Sequence, residues 1–221
     1  FKISTASSFV VSAAGVPIAK HGNKALSSKT GAADVLCELG VNLDCDMSVI
    51  QKAMDEIGIC FLMAPRHHMA MRHVAASRTE LGTRTIFNIL GPLANPALVK
   101  KQLVGVFSEA WVEPIANVLK GLGSERAWVV HGSDGLDEIT TTGVTKVAAL
   151  DKGSVSTFTI HPEDANLELA DPKQLKGGLP GQNAMALANL LRGEKGPYRD
   201  IVLFNSAAAF IIAEKVDNLK E

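Results

Sequence analysis

Apolar and polar positions along this chain follow two rhythms. Short apolar runs, Val16 to Ala19, Ile59 to Met63, Leu103 to Phe107 and Ala127 to Val130, predict buried strands. Helical spacing of apolar residues marks Ala6 to Ala14, Ala32 to Leu39, Val49 to Ile57, Trp111 to Leu122, Gly181 to Leu191 and Asp200 to Ala213. Gly15, Gly40 and Gly58 stand where a glycine in the left-handed region ends a helix. Phe1 to Ile3 reads as a strand remnant, with Ser4 or Thr5 as N-cap of the next helix. Ser48-x-x-Gln51 forms a capping box, and Pro114 suits a first helical turn. Val144 to Leu150 and Val155 to Ile160, joined at Lys152-Gly153, predict an antiparallel hairpin at a sheet edge. Strands alternating with helices over short connections predict an α/β fold with a largely parallel central sheet flanked by helices.

The rhythm breaks between Pro65 and Pro96. His67, His68, Met69, Met71, Arg72, His73 and Arg78 crowd a helical stretch that ends in Gly91-Pro92-Leu93-Ala94-Asn95-Pro96. Residues 66–97 are therefore expected to be a helical excursion belonging to a small helical domain, and 1–65 with 98–221 to form the α/β domain. The histidines are not four apart, so they do not stack on one helix face as a metal pair would.

Composition narrows the chemistry. Lys and Arg number 22 against 23 Asp and Glu, so no global field would hold nucleic acid or an anionic membrane. Any anion site must be local. Cys37, Cys45 and Cys60 are odd in number and lack C-x-x-C spacing, which fits a reducing cytoplasm rather than a disulfide framework. No apolar run approaches the roughly 20 residues that span a bilayer.

Two stretches carry candidate chemistry. Lys20 to Gly31 lies between a strand and a helix and offers ammonium, hydroxyl and backbone N–H groups to a phosphate. His131-Gly132-Ser133-Asp134-Gly135-Leu136-Asp137-Glu138 follows a buried strand, at the end of an open sheet where ligands bind. Asp137 and Glu138 suit Mg²⁺, which takes one or two carboxylates plus substrate phosphates. Neither stretch matches a P-loop or a dinucleotide fingerprint.

Ser4-Thr5, Ala19-Lys20-His21-Gly22-Asn23 with Ser27-Ser28, Phe87-Asn88-x-Leu90-Gly91-Pro92-Leu93-x-Asn95-Pro96, and His131-Gly132-x-Asp134-Gly135-Leu136-Asp137-Glu138, in this order, resemble the anthranilate phosphoribosyltransferase family along the whole chain. The resemblance implies transfer of the phosphoribosyl group of phosphoribosyl pyrophosphate to anthranilate, with release of pyrophosphate, in tryptophan biosynthesis. It implies Mg²⁺ at Ser4, Asp137 and Glu138, and phosphoribosyl pyrophosphate at Ser4, Thr5, Lys20, Asn23, Ser27 and Ser28. Anthranilate falls to His21, Asn23, His68 and Arg78, with His21 positioning the amine rather than acting as general base. A homodimer without nucleic-acid or membrane partners is implied too.

Two departures stand out. The family's Gly-Thr-Gly-Gly-Asp loop would precede Phe1, so the sequence reads as a fragment lacking that loop and the helices before it. Such a fragment is expected to expose apolar surface near 65–96 and to be nearly inactive alone. Lys2 stands where the family usually carries Asn. The rival readings are a pyrimidine nucleoside phosphorylase of the same fold and a non-catalytic nucleic-acid-binding relative.

Overall fold

The computed structural model describes residues 1–25, 30–69, 72–83 and 85–221, without the side chains at 72, 75, 78 and 79. The chain divides into two compact units, 1–98 with 177–193, and 99–176 with 194–221. Both units hold helices packed on strands, in keeping with the α/β expectation.

In the first unit, β1 (Ile18–Gly22) and β2 (Ile59–Met63) pair in parallel, with Lys20 opposite Phe61 and His21 opposite Leu62. Helix α1 (Ile3–Ala13) packs on both strands, and α3 (Met47–Ile57) packs on β2. Helix α2 (Ala32–Glu38) contributes Ala33 and Leu36 to a small core with Leu43, against which Phe9, Phe61 and Met63 pack. Helix α8 (Pro180–Leu191) rejoins this unit against α2. Among the described residues the stretch 64–93 holds the short helices α4 (Ala64–His67), α5 (Arg72–Leu81) and α6 (Phe87–Leu93).

The second unit holds the sheet β3-β4-β5-β6: Lys101–Gly105, Arg126–Gly132, Thr145–Asp151 and Ser154–Ile160. β3 and β4 are parallel, and β4-β5 and β5-β6 antiparallel, so the expected edge hairpin is the β5-β6 pair. Parallel pairing is thus confined to β1-β2 and β3-β4 among the described residues. Val130, Val147 and Ile160 form a core with Ile139 and with Phe204 and Ala208 of α9 (Pro197–Ile212). By the two-residue alternation of a strand, Ala127 and Val129 face the other way. Helix α7 (Val112–Gly121) packs on β4 and β5 and buries Ile115, Ala116 and Leu119.

The helix starts depart from expectation. Phe1 to Ile3 is not strand: α1 begins at Ile3 with Lys2 at its N-cap position, which places Ser4 and Thr5 in the first turn. Within the helix, serine hydroxyls bond back to carbonyls four residues earlier, Ser7 to Ile3 and Ser8 to Ser4. The Ser48 box does not form either. Helix α3 starts two residues earlier at Met47, with Asp46 at the N-cap, and Gln51 donates to Asp55 Oδ1 at 3.0 Å. The stops hold, since Gly58 takes the left-handed conformation at φ 69°. No helix among the described residues is long and apolar enough to cross a membrane.

Candidate functional site

In the first unit the candidate residues gather at the end of β1. Lys20 Nζ donates to Ser4 Oγ at 3.2 Å, joining two of the expected phosphate ligands across 16 residues of chain. Thr5 lies beside Ser4 in the turn but is buried, and its hydroxyl finds no hydrogen-bond partner among the described residues. Ser27 and Ser28 lie outside the described residues.

The polar run closes on a residue that the sequence patterns did not flag. Asp34 Oδ2 accepts the backbone N–H of Ala25 at 2.9 Å and of Gly31 at 2.7 Å, so one carboxylate ties the two ends of the loop together. Ala33 N–H donates to the Asn23 carbonyl at 3.2 Å. The start of α2, expected to present N–H groups to an anion, spends those of Gly31 and Ala33 on the chain itself. The bonds from Ala25 and Gly31, with Lys24 and Lys2 nearby, hold the Asp34 carboxyl below the usual carboxylate range. Lys2 therefore enters the site's electrostatics through Asp34. The Gly31-x-x-Asp34 spacing, acidic at the third helical position, was the signal available for this clamp.

Next to Lys20, His21 meets His68. Their Nε2 atoms are 3.2 Å apart and the rings stand edge-on, with centroids 4.9 Å apart at 72°. Two of the expected anthranilate residues are thereby brought together from positions 47 residues apart. One ring donates and the other accepts, so the contact requires at least one neutral imidazole. Burial, followed by the charges of His68 and His67, lowers the His21 pKa from 6.5 to about 4, against the upward pull of a bond to the Gly91 backbone. Asn95 Nδ2 donates to the Ala19 carbonyl at 3.0 Å. The 87–96 motif thus braces β1 on either side of Lys20. Arg78 belongs to α5, and its side chain lies outside the described residues.

This titration has a measurable consequence. In the unfolded chain the His21 ring takes up its proton near pH 6.5, whereas the folded chain holds it neutral down to about pH 4. The unfolded state therefore binds more protons in that window. The associated stability is whole above pH 6.5 and is lost as pH falls toward 4. His21 is only half-buried, so the effect is on the order of 1–2 kcal/mol after allowance for solvent screening. Urea titrations at pH 7 and 4.5 should show the chain losing more stability than His21→Gln by this amount. Equal losses would count against it.

In the second unit the loop after β4 is built around Asp134. Its Oδ2 accepts from the hydroxyls of Thr140 and Thr142, each at 2.7 Å, and its Oδ1 from Leu136 N–H at 3.2 Å. Asp134 braces the loop. Gly132 N–H donates to Leu136 O at 2.9 Å, and Gly135 turns the chain at φ 88°. His131 Nδ1 lies 2.8 Å from the Val106 carbonyl. This leaves Asp137 exposed and Glu138 partly so. Among the described residues no three His, Cys, Asp or Glu side chains converge on a metal. A two-carboxylate set still fits Mg²⁺, which completes its octahedron with water and substrate phosphate. The expected metal set is thus divided, with Ser4 in the first unit and Asp137 and Glu138 in the second.

Comparison with known proteins matches residues 1–221 to the model of the glycosyl transferase family, a/b domain. The chain is 61% identical over 219 residues to the anthranilate phosphoribosyltransferase of Paramagnetospirillum magneticum, covering 99% of this chain and 63% of that protein. It is 58% identical over 221 residues to the enzyme of that name from Brucella suis, covering 100% and 65%. Among solved structures, anthranilate phosphoribosyltransferase from Thermus thermophilus matches with TM-score 0.92 at 44% identity, covering 99% of this chain and 65% of that one. The Saccharomyces cerevisiae enzyme in complex with phosphoribosyl pyrophosphate and Mg matches with TM-score 0.88 at 32% identity, covering 100% and 62%. The chain spans slightly less than two thirds of the length of these relatives.

Proposed function

The chain belongs to the glycosyl transferase family, whose a/b domain its whole length matches, and from that premise we propose that it carries out phosphoribosyl transfer to anthranilate. Phosphoribosyl pyrophosphate is the donor, the anthranilate amino group the acceptor and pyrophosphate the second product. The observation that carries the proposal is the sorting of contacts along β1. Lys20 reaches Ser4 and the next residue, His21, reaches His68, and successive strand side chains point to opposite faces. Phosphate ligands and acceptor ligands thus come from adjacent positions of one rigid strand.

Each group has a physical task. Departure of pyrophosphate leaves oxocarbenium character at the ribosyl carbon, so the largest contributions come from neutralising the leaving group and holding the amine in line. The Lys20 ammonium and the Ser4 hydroxyl bind phosphate oxygens, with the Thr5 hydroxyl and the Ser27-Ser28 pair assigned to the same ligand. Asp137 and Glu138 would hold Mg²⁺, which supplies further charge neutralisation when bound. Asn23 and Arg78 are assigned to the acceptor, Arg78 because a guanidinium grips a carboxylate with two parallel bonds. Residues 66–97 are assigned to a small helical domain that carries the homodimer contact, and Cys37, Cys45 and Cys60 to a reducing cytoplasm.

His21 stays neutral at physiological pH, and a base with a pKa of about 4 is a weak proton acceptor. It therefore orients the amine rather than deprotonating it. In full-length protein, His21→Ala should raise the KM for anthranilate about tenfold and lower kcat less than tenfold. A kcat loss beyond a hundredfold at unchanged KM would make His21 the general base. The reaction itself is tested by pyrophosphate release, which should require phosphoribosyl pyrophosphate, anthranilate and Mg²⁺ together. Release that is indifferent to anthranilate would overturn the proposal.

A further inference from the structure

The acid pair sits between two fixed points, neither of which was visible in the motifs. On one side is Gly105, the last residue of β3. A Cβ built there would fall inside the carbonyl group of Asp137, so only glycine lets the loop backbone approach this closely. Gly105 does not need its freedom of φ; it needs the absent side chain. On the other side is Asn205 of α9, which is 2% exposed. Its Oδ1 accepts Ile139 N–H at 3.1 Å, and its Nδ2 donates to Ile139 O and Ile201 O, both at 2.8 Å. Ile139 is itself fully buried in the core against Phe204 and Ala208. Glu138 is thus the single residue between two pinned neighbours.

We propose that Gly105 and Asn205 are positioning residues that set the direction of the Asp137 and Glu138 carboxylates toward a divalent cation before it binds. The inference rests on the assignment of this acid pair to Mg²⁺. Rotation of the backbone at 137–139 would swing both carboxylates, and a hard cation tolerates little such error. A buried amide that exchanges two hydrogen bonds with one residue's backbone holds that residue against rotation, at the cost of ordering a polar group inside the core. Groups that orient metal ligands in this way typically change affinity 10–100-fold when removed.

A built-in control exists in the first unit. Asn183 is also buried and makes the same two-bond clamp, accepting Gly178 N–H at 2.9 Å and donating to Gly178 O at 3.0 Å. Mn²⁺ alone, followed by the loss of its free electron paramagnetic resonance signal, gives the affinity of the full-length protein. Asn205→Ser and Gly105→Ala should each weaken Mn²⁺ binding about tenfold. Asn183→Ser should lower the melting temperature comparably and leave the affinity within twofold. Unchanged affinity in folded Asn205→Ser and Gly105→Ala would overturn the positioning role and leave the metal assignment standing. Wild-type protein that binds no Mn²⁺ at millimolar concentration would overturn the metal assignment, and the inference with it.

Hydrogen exchange on the unaltered protein covers the case in which the variants do not fold. The Ile139 amide should be as protected without Mn²⁺ as with it, because the segment is set in advance. A tenfold gain in protection on adding Mn²⁺ would mean that the cation orders the segment, and would overturn the inference.

Discussion

Asp137→Asn combined with Glu138→Gln is expected to slow phosphoribosyl transfer by the full-length protein about 10³-fold, which corresponds to roughly 4 kcal/mol of lost transition-state stabilisation. Both substitutions keep size and remove charge. Asp137 is exposed and Glu138 only partly buried, and Asp134, Thr140 and Thr142 brace the loop through bonds that neither substitution touches. The fold should survive both substitutions, and a melting curve checks that it does. The single variants should recover part of their rate when Mg²⁺ is raised tenfold, because one carboxylate remains. Steady-state rates against Mg²⁺ concentration read all of this. A double variant within threefold of the unaltered protein would remove the acid pair from the account.

Gly31→Ala should be the most damaging single methyl group in the polar run. Its Cβ would meet backbone rather than side chain, with the Lys24 carbonyl carbon at 2.5 Å, the Asn23 carbonyl oxygen at 2.7 Å and the Ala25 nitrogen closer still. Backbone cannot rotate aside as a side-chain tip can, so the loop must open. Asp34 then loses at least one of the N–H groups that tie Ala25 to Gly31. Overpacking of this kind costs about 1–3 kcal/mol. A displacement near 1 Å in residues that position a substrate costs about 10²-fold in rate. Gly181→Ala is the matched control, since among the described residues its Cβ would meet Glu38 Oε2 alone, at 3.6 Å. It should be close to neutral in a urea titration. Equal behaviour of the two variants would show that close approach at Gly31 is unimportant.

What could be read ahead of the structure was local. Gly58 and Gly40 end their helices because the left-handed conformation is cheap for glycine, and that leaves a mark at a fixed offset. The β5-β6 hairpin shows because alternating residues flank Lys152-Gly153, and Lys152 and Gly153 both take positive φ. Helix starts were less legible. Ser4, Thr5 and Ser48 are good caps in isolation, but a serine inside a first turn has the same composition, and side-chain propensity alone does not decide between the two. The site divides in the same way. Lys20, His21 and the acid pair stand in recognisable runs, whereas the partners that orient them are remote in sequence. Asn205 lies 66 residues from Ile139. Asn205 in an apolar helix and Gly105 at a strand end carry no local mark of the partner each one meets. Asp34 was nearer at hand, three residues after Gly31, yet its second partner, Ala25, lies across the loop.

The most direct measurement follows the fluorescence of anthranilate mixed with phosphoribosyl pyrophosphate, Mg²⁺ and the protein. The account predicts that fluorescence falls as the amine is consumed, that the fall stops when any one component is withheld, and that Asp137→Asn slows it at least tenfold. Undiminished anthranilate fluorescence with all components present would contradict it.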